Sequence, residues 1–229
     1  MGVIYLVRHA QASFGTADYD RLTPLGFTQA DLLGAYFARR KIRFDAVYSG
    51  TLRRHAETAQ AIAAGEQDRG APPAQCFPGL DEYNPEALLK AFTGVLPAPA
   101  TAAVARDAAV VREHFRLLRD ALMAWAADRI QPAGMPSWQA FQDAAVAALI
   151  EARQFSDANV LVVSSGGPIA AIVAAALRAP PEIAVELNLR IRNSSVTEFA
   201  MSARRHQLVS FNALPHLDAQ SDPGLTTYA

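Results

Sequence analysis

The chain has 229 residues, 51% of them apolar and 19% charged, the balance of a globular chain that can bury a core and not of a disordered one. A formal net charge of -1 gives no general attraction to nucleic acid or to anionic membranes, so any basic site must be local. One cysteine, Cys76, excludes an internal disulfide and a C-x-x-C motif, which points to a reducing, cytoplasmic setting.

In chain order, "VIYLV" (3–7) reads as a buried strand, and a polar loop runs from Gln11 to Arg21. "TPLGFTQADLLGAYFARRK" has Thr23 as N-cap, Pro24 at the first helical position and apolar spacing up to Phe37, which predicts a helix. "FDAVYSG" (44–50) reads as a second strand, "TLRRHAETAQAIAA" as the next helix and "AQCFPGL" as a third strand. From Asn84 to Phe155 the pattern turns largely helical. There "VARDAAVVREHFRLLRDALMAWAADRI" and "PSWQAFQDAAVAALIEARQF" flank a Pro132 to Pro136 loop, and this insertion is expected to lie over the sheet as a lid or subdomain of a single domain. Met123, Trp125 and Trp138 read as packing on helix faces.

From Ala158 to Leu177 no charge occurs, over a length that could cross a bilayer of roughly 30 Å. "SSGGP" in its middle argues against a span: β-branched "NVLVV" reads as a fourth strand, the glycines as a tight turn, and "IAAIVAAAL" as a buried helix that Pro168 can open. The final "SSVTEFAMSARRHQLVSFN" is two alternating runs around Ala203 to His206, a hairpin. At the start, "MGVIYLVRHA" has no basic n-region, its apolar run is too short for a signal peptide, and Leu6 stands where a myristoylation signal needs Ser or Thr.

Alternating strands and helices predict an α/β fold, a three-layer α/β/α sandwich with a mostly parallel sheet and a C-terminal hairpin. Ligands of such sheets bind beyond the carboxyl ends of the strands. "VRHAQ", "YSGTL" and "SSGGP" all sit at such ends, and together they could hold an anion. Arg54 precedes Thr58 by four residues, so the two share a helix face near a helix start, where free N–H groups favour an anion; Arg53 points elsewhere, toward solvent. "VSSGG" lacks the leading glycine of G-x-S-x-G, which counts against a serine hydrolase. His114, His206 and His216 are dispersed without metal-ligand spacing, so no metal or other cofactor is expected.

These motifs, in this order, resemble the histidine phosphatase superfamily, the phosphoglycerate-mutase-like proteins. "LVRHAQA" is similar to its L-x-R-H-G-[EQ]-[TS], "LTPLGFTQA" to its L-T-x-x-G-x-x-Q-A, and "VYSGTLRRHAETA" to its S-S-x-L-x-R-A-x-x-T-A. "SSVTEFAMSARRHQLVSFNALPHL" is similar to its closing hairpin and N-x-x-H-L, with His216 on the terminal histidine. The likeness is weakest between 84 and 155.

The resemblance implies a phosphoglycerate-mutase-like fold and a hydrolase acting on a small phosphorylated substrate, with no nucleic acid or membrane partner. It makes His9 the nucleophile, Arg8 and Arg54 the phosphate clamps, and Glu82 in "GLDEY" the proton donor, with Asp81 the competing candidate. Gln11, Ser13, Gly15, Ser165 and Gly166 fall to substrate binding. Two guanidinium forks suit phosphate oxygens. His9 must be neutral to attack, with an acceptor such as a backbone carbonyl on its other nitrogen, and Glu82 must hold its proton, which requires burial or a nearby anion.

The sequence departs from the family's S-H-G-G, with Ser165 at the histidine; Gly15 replaces a loop Asn, and Ala10 the glycine after the first histidine. Losing one preorganised donor commonly costs about 10² to 10³ in rate. Water, or His55 beside Arg54, are the candidates to fill the gap. Two alternatives remain: a non-catalytic or weakly active phosphate-ligand binder, and a mutase, disfavoured because "LDEYNPEALLKAF" lacks the residues that follow the acid in phosphoglycerate mutases. An apolar helix face can meet the core or a twin subunit, which leaves a homo-oligomer open.

Overall fold

A computed structural model describes residues 2–13, 20–65, 71–95, 108–152, 154, 157–202, 204–218, 220 and 222–228. Six strands form one sheet: β1 (Gly2–Arg8), β2 (Ala46–Ser49), β3 (Gln75–Cys76), β4 (Asn159–Ser164), β5 (Val196–Met201) and β6 (His206–Ala213). Their spatial order is β3-β2-β4-β1-β5-β6. The first four strands pair in parallel, and β5 and β6 continue the sheet as an antiparallel hairpin. The helices are α1 (Pro24–Arg39), α2 (Arg53–Ala64), α3 (Pro85–Thr93), α4 (Ala108–Ala126), α5 (Trp138–Ala152), α6 (Gly166–Leu177) and α7 (Pro181–Asn188).

Strand side chains alternate between faces, and here both faces are covered, which is why β1 and β4 read as unbroken apolar runs. Tyr5, Val7, Val47, Leu161 and Val163 join Ala30, Leu33 and Phe37 of α1 and Ala59 and Ile62 of α2 in one layer. Ile4, Leu6, Tyr48, Val160 and Val162 face the other way, into a larger cluster with Leu88, Leu122, Trp125, Trp138, Ile172 and Val185. The sandwich thus has three layers. The helices between 84 and 155 share the second cluster with the sheet, and Trp125 and Trp138 stack edge to face at its centre, 5.1 Å apart.

Several boundaries differ from the sequence reading. The third strand shrinks to two residues, because Pro78 cannot donate to a ladder and starts a turn of 3-10 helix through Leu80. α6 begins at Gly166 and not at Pro168. Proline is tolerated at its third position because the first N–H groups of a helix lack intrahelical acceptors. α7 gave no sequence signal of its own beyond Pro181. The start of the predicted helix at 104–107, the hairpin tip at Ala203 and Gly15 lie outside the described residues.

β1 and β4 are neighbours, in register from Val3 and Asn159 to Arg8 and Ser164. The chain leaves β1 toward α1 on one face, and leaves β4 toward α6 on the other. Adjacent parallel strands whose exits diverge in this way open a crevice at their carboxyl ends.

Candidate active site

His9 follows the last residue of β1 and is pinned there by its main chain: its N–H donates to Ser164 O at 2.8 Å, and its carbonyl accepts from Ser194 N at 3.3 Å and Asn193 Nδ2 at 3.3 Å. The imidazole is 3% exposed. Nδ1 lies 2.8 Å from Ala10 O; a carbonyl can only accept, so Nδ1 carries the hydrogen. The lone pair is then on Nε2, where Arg54 Nε–H points at it from 3.3 Å. Burial, followed by the charges of Arg8 and Arg54, holds the His9 pKa well below the ordinary histidine range, so the ring is neutral.

Arg54 is 6% exposed, on the first turn of α2. Its Nη1 pairs with Asp20 Oδ1 at 2.8 Å, and the same carboxylate accepts from Arg53 N at 2.8 Å and Arg54 N at 3.4 Å. Asp20 therefore caps α2 from a distant loop, since Leu52 at the N-cap position has no side chain able to do so. The sequence reading did not single out Asp20, because a cap supplied from another loop leaves no local pattern. Thr58 ties the two elements together: its Oγ1 accepts from Ala10 N at 3.1 Å and donates to Arg54 O at 2.7 Å. Arg53 instead reaches Glu57 at 2.7 Å on the outer face, as the spacing predicts.

Arg8 is half-buried. Its Nη1 donates to the main-chain carbonyls of Ile191 and of Tyr228, the latter at 2.7 Å. The segment holding Tyr228 is itself tied down, through Gln29 Nε2 to Leu225 O at 2.7 Å and Asn193 N to Thr227 O at 2.9 Å.

Glu82 and Asp81 separate cleanly. Asp81 accepts from Thr51 N at 2.6 Å and from Thr51 Oγ1 at 2.5 Å, closing the turn before α2. Glu82 instead faces the start of α6, where Gly167 N donates to Oε1 at 3.1 Å and to Oε2 at 3.3 Å. Burial raises the Glu82 pKa, against the lowering effects of the Gly167 N–H and the two arginines. A Cβ at Gly167 would fall on Glu82 Oε1 and press on the Tyr83 ring, so any other residue there would displace the Glu82 carboxyl. The loop is aimed from below by Ser164 Oγ, which donates to Leu80 O at 2.7 Å.

The remaining predicted positions take varied places. Gln11 turns its Oε1 to Thr23 Oγ1 at 2.7 Å, and Ser13 N bonds Arg21 O at 3.0 Å, so both brace the loop after β1. Gly166 packs against Asn188, whose Oδ1 a Cβ would meet. Ser165 is fully buried, and its Oγ lies 2.7 Å from Nε2 of His55, which is also fully buried. The His55 ring centroid is 5.7 Å from that of His9. His216 reaches the site indirectly: its Nε2 pairs with Ser194 Oγ at 2.9 Å, and Ser194 N holds the His9 carbonyl. Among the described residues no group of three His, Cys, Asp or Glu is placed to hold a metal ion, and no helix is long and apolar enough to cross a membrane.

A buried neutral imidazole with the Arg54 guanidinium on its free nitrogen, the Arg8 charge close enough to lower its pKa and a carboxyl at a helix start form an arrangement that can hold an anion such as a phosphoryl group. The chain matches the histidine phosphatase superfamily (branch 1) over residues 4–90 and 106–214, and it belongs to that family. It is 27% identical over 228 residues to "Putative phosphoserine phosphatase 2" of Hydrogenobacter thermophilus, covering 93% of this chain and 96% of that one. In fold it resembles a phosphoserine phosphatase mutant from Entamoeba histolytica in complex with phosphoserine, at 22% identity and TM-score 0.63, covering 95% of this chain and all of the other. It also resembles the phosphoglycerate mutase from Bacillus anthracis, at 20% identity and TM-score 0.61 over 94% of each chain. The phosphoglycerate-mutase-like fold anticipated from the motifs is the one observed.

Proposed function

We propose that the protein is a metal-independent phosphatase that hydrolyses a small phosphomonoester through a phosphohistidine on His9. The observation that carries this reading is the state of the imidazole: Nδ1–H is fixed on the Ala10 carbonyl and Nε2 is left with its lone pair beside Arg54. The family membership and the phosphatase relatives support it.

In the first step the Nε2 lone pair of His9 forms a bond to phosphorus as the ester P–O bond breaks, and the Glu82 carboxylic acid gives its proton to the leaving oxygen. The alcohol departs. The Glu82 carboxylate then takes a proton from water as that water attacks phosphorus; the N–P bond breaks, inorganic phosphate leaves, and His9 is neutral again. Arg54 and Arg8 neutralise the phosphoryl oxygens throughout, which is most of what protein groups contribute to phosphoryl transfer. In this reading Gly166 lies on the substrate side, while Gln11 and Ser13 hold the loop after β1 that borders it.

The test is turnover of an aryl phosphate with and without EDTA, beside His9→Ala, with acid-labile protein-bound phosphate trapped by rapid quench. Turnover that survives EDTA and disappears in the variant is the expected result. Binding of phosphate or vanadate without turnover favours a second reading, a phosphate-ligand binder. That reading draws on Ser165 at the family's histidine position and on the carbonyls of Ile191 and Tyr228 that engage Arg8.

A further inference from the structure

Ser165 stands at the N-cap of α6, where a serine hydroxyl ordinarily accepts from an N–H of the first helical turn, yet it makes no such bond. Its Oγ is instead 2.7 Å from His55 Nε2, 110 residues earlier in the sequence and on the opposite wall of the crevice. The other ring nitrogen, Nδ1, has no hydrogen-bond partner among the described residues, and its nearest carboxylate oxygen, Asp81 Oδ1, is 3.7 Å away, beyond hydrogen-bond range. A buried N–H without an acceptor is costly, so the single proton of the neutral ring belongs on the nitrogen that has a partner. The ring proton is accordingly assigned to Nε2, from which it points at Ser165 Oγ.

That assignment leaves the serine with one hydrogen of its own and no acceptor for it within the protein among the described residues. The hydroxyl sits next to Ser164, whose carbonyl holds the His9 main chain, and its imidazole partner is 5.7 Å from the His9 ring. Gly50 leaves room for the ring in this position: a Cβ there would fall on His55 Nδ1 and Asp81 Oδ1, and the ring would have to shift. Burial and the adjacent Arg54 charge hold the His55 pKa down, to about 3, so the ring is a neutral donor. The charged and titratable groups facing it are Arg54 on its own helix, His9 on the loop after β1 and Asp81 on the loop before α3.

We propose that the Ser165 hydroxyl, aimed by His55, donates its hydrogen bond to an oxygen of the phosphoryl group carried on His9, so that the pair supplies the pocket donor that the family's S-H-G-G takes from a single histidine. Ser165 is then a further catalytic residue and His55 a positioning residue acting through it. The inference rests on the phosphohistidine reading above. In the motif that this chain resembles the residue after the arginine is alanine, whereas here it is His55.

The experiment compares kcat and KM for an aryl phosphate in Ser165→Ala, His55→Leu, His55→Gln and the double variant Ser165→Ala/His55→Leu, each checked for a wild-type thermal melting transition. Ser165→Ala and His55→Leu each lower kcat by about 10² to 10³, the usual cost of one preorganised donor. The double variant falls no further than either single one, and His55→Gln, whose amide N–H reaches about as far as Nε2–H, recovers at least tenfold over His55→Leu. Losses that multiply in the double variant, a wild-type kcat in Ser165→Ala, or a His55→Gln no better than His55→Leu overturn the proposal. If His55→Leu does not fold, Ser165→Ala and His55→Gln decide alone. Failure of the underlying reading looks different: the unmodified protein itself then yields no trapped phosphohistidine and no turnover.

Discussion

The loop after β1 and the turn after β4 end side by side in the sheet and face the same crevice, yet they are furnished in opposite ways. His9 is fixed by its immediate neighbour, the Ala10 carbonyl, and by the strand beside it. Ser165 is fixed by an imidazole from another helix, and even its helix goes without the cap its hydroxyl could provide. A reactive group whose tautomer is set by the adjacent residue needs distant partners for its burial and charge and not for its tautomer. A group set by a distant partner is only as good as the packing that brings the partner in.

The largest break in this comparison comes from the first loop. His9→Ala is expected to reduce turnover of an aryl phosphate by on the order of 10⁴ to 10⁶, as for removal of a nucleophile, while phosphate binding monitored by calorimetry persists on Arg54 and Arg8. Next in size, Glu82→Gln lowers kcat by about 10² to 10⁴ with an alkyl phosphate and by clearly less with a nitrophenyl phosphate, whose leaving oxygen needs no proton. Equal losses on the two esters would remove Glu82 from the role of proton donor.

Gly167→Ala sharpens the second side. The new methyl group falls on the Glu82 carboxylate, and a displacement of about 1 Å in a positioned group costs about 10²-fold in rate. A steady-state assay beside a melting curve separates this from unfolding.

Protonation offers a smaller and more general test. His55 and His216 are buried neutral, with pKa values lowered by burial to about 3 and about 4 from an ordinary 6.5. The unfolded chain takes up these protons near pH 6.5 and the folded chain does not, so their contribution to stability is complete above about pH 6.5 and is lost as pH falls toward the folded values. Each group removes about 1.4 kcal/mol per pH unit in that window. Urea midpoints measured from pH 7 down to pH 5 are expected to fall, and His55→Gln to flatten the slope; an unchanged slope in that variant contradicts the assignment of a neutral buried ring. Activity has the opposite edge: it declines as pH rises through the raised Glu82 value, because the acid must hold its proton.

The smallest expected effect is Asp20→Ala, which removes the borrowed cap of α2 and costs about 1 kcal/mol of stability, read as a shift in the urea midpoint.

Much of the fold was legible in the sequence because its signals are local. Apolar runs with β-branched residues mark β1 and β4, Thr23 and Pro24 open α1, and the alternation after Ser194 marks the hairpin. The candidate site was legible to the extent that its groups sit at strand ends: Arg8 and His9 after β1, Arg54 after β2, and the serine and glycine after β4. What proved illegible was whatever depends on partners far apart in sequence. Asp20 caps a helix that begins 33 residues later, and α7, with no polar cap and a short apolar stripe, is held by packing on α6.

The sequence by itself determined the alternation of elements and the chemistry available at the strand ends, because each follows from neighbours in the chain, whereas the neutral state of His9 comes from burial and from Arg54, 45 residues away. Only the tertiary structure decided which carboxylate faces α6, which group engages Arg54 and which imidazole meets Ser165. Those pairings lie between residues 34 to 110 positions apart, and only a folded sheet with its helices in place brings such groups within hydrogen-bond range.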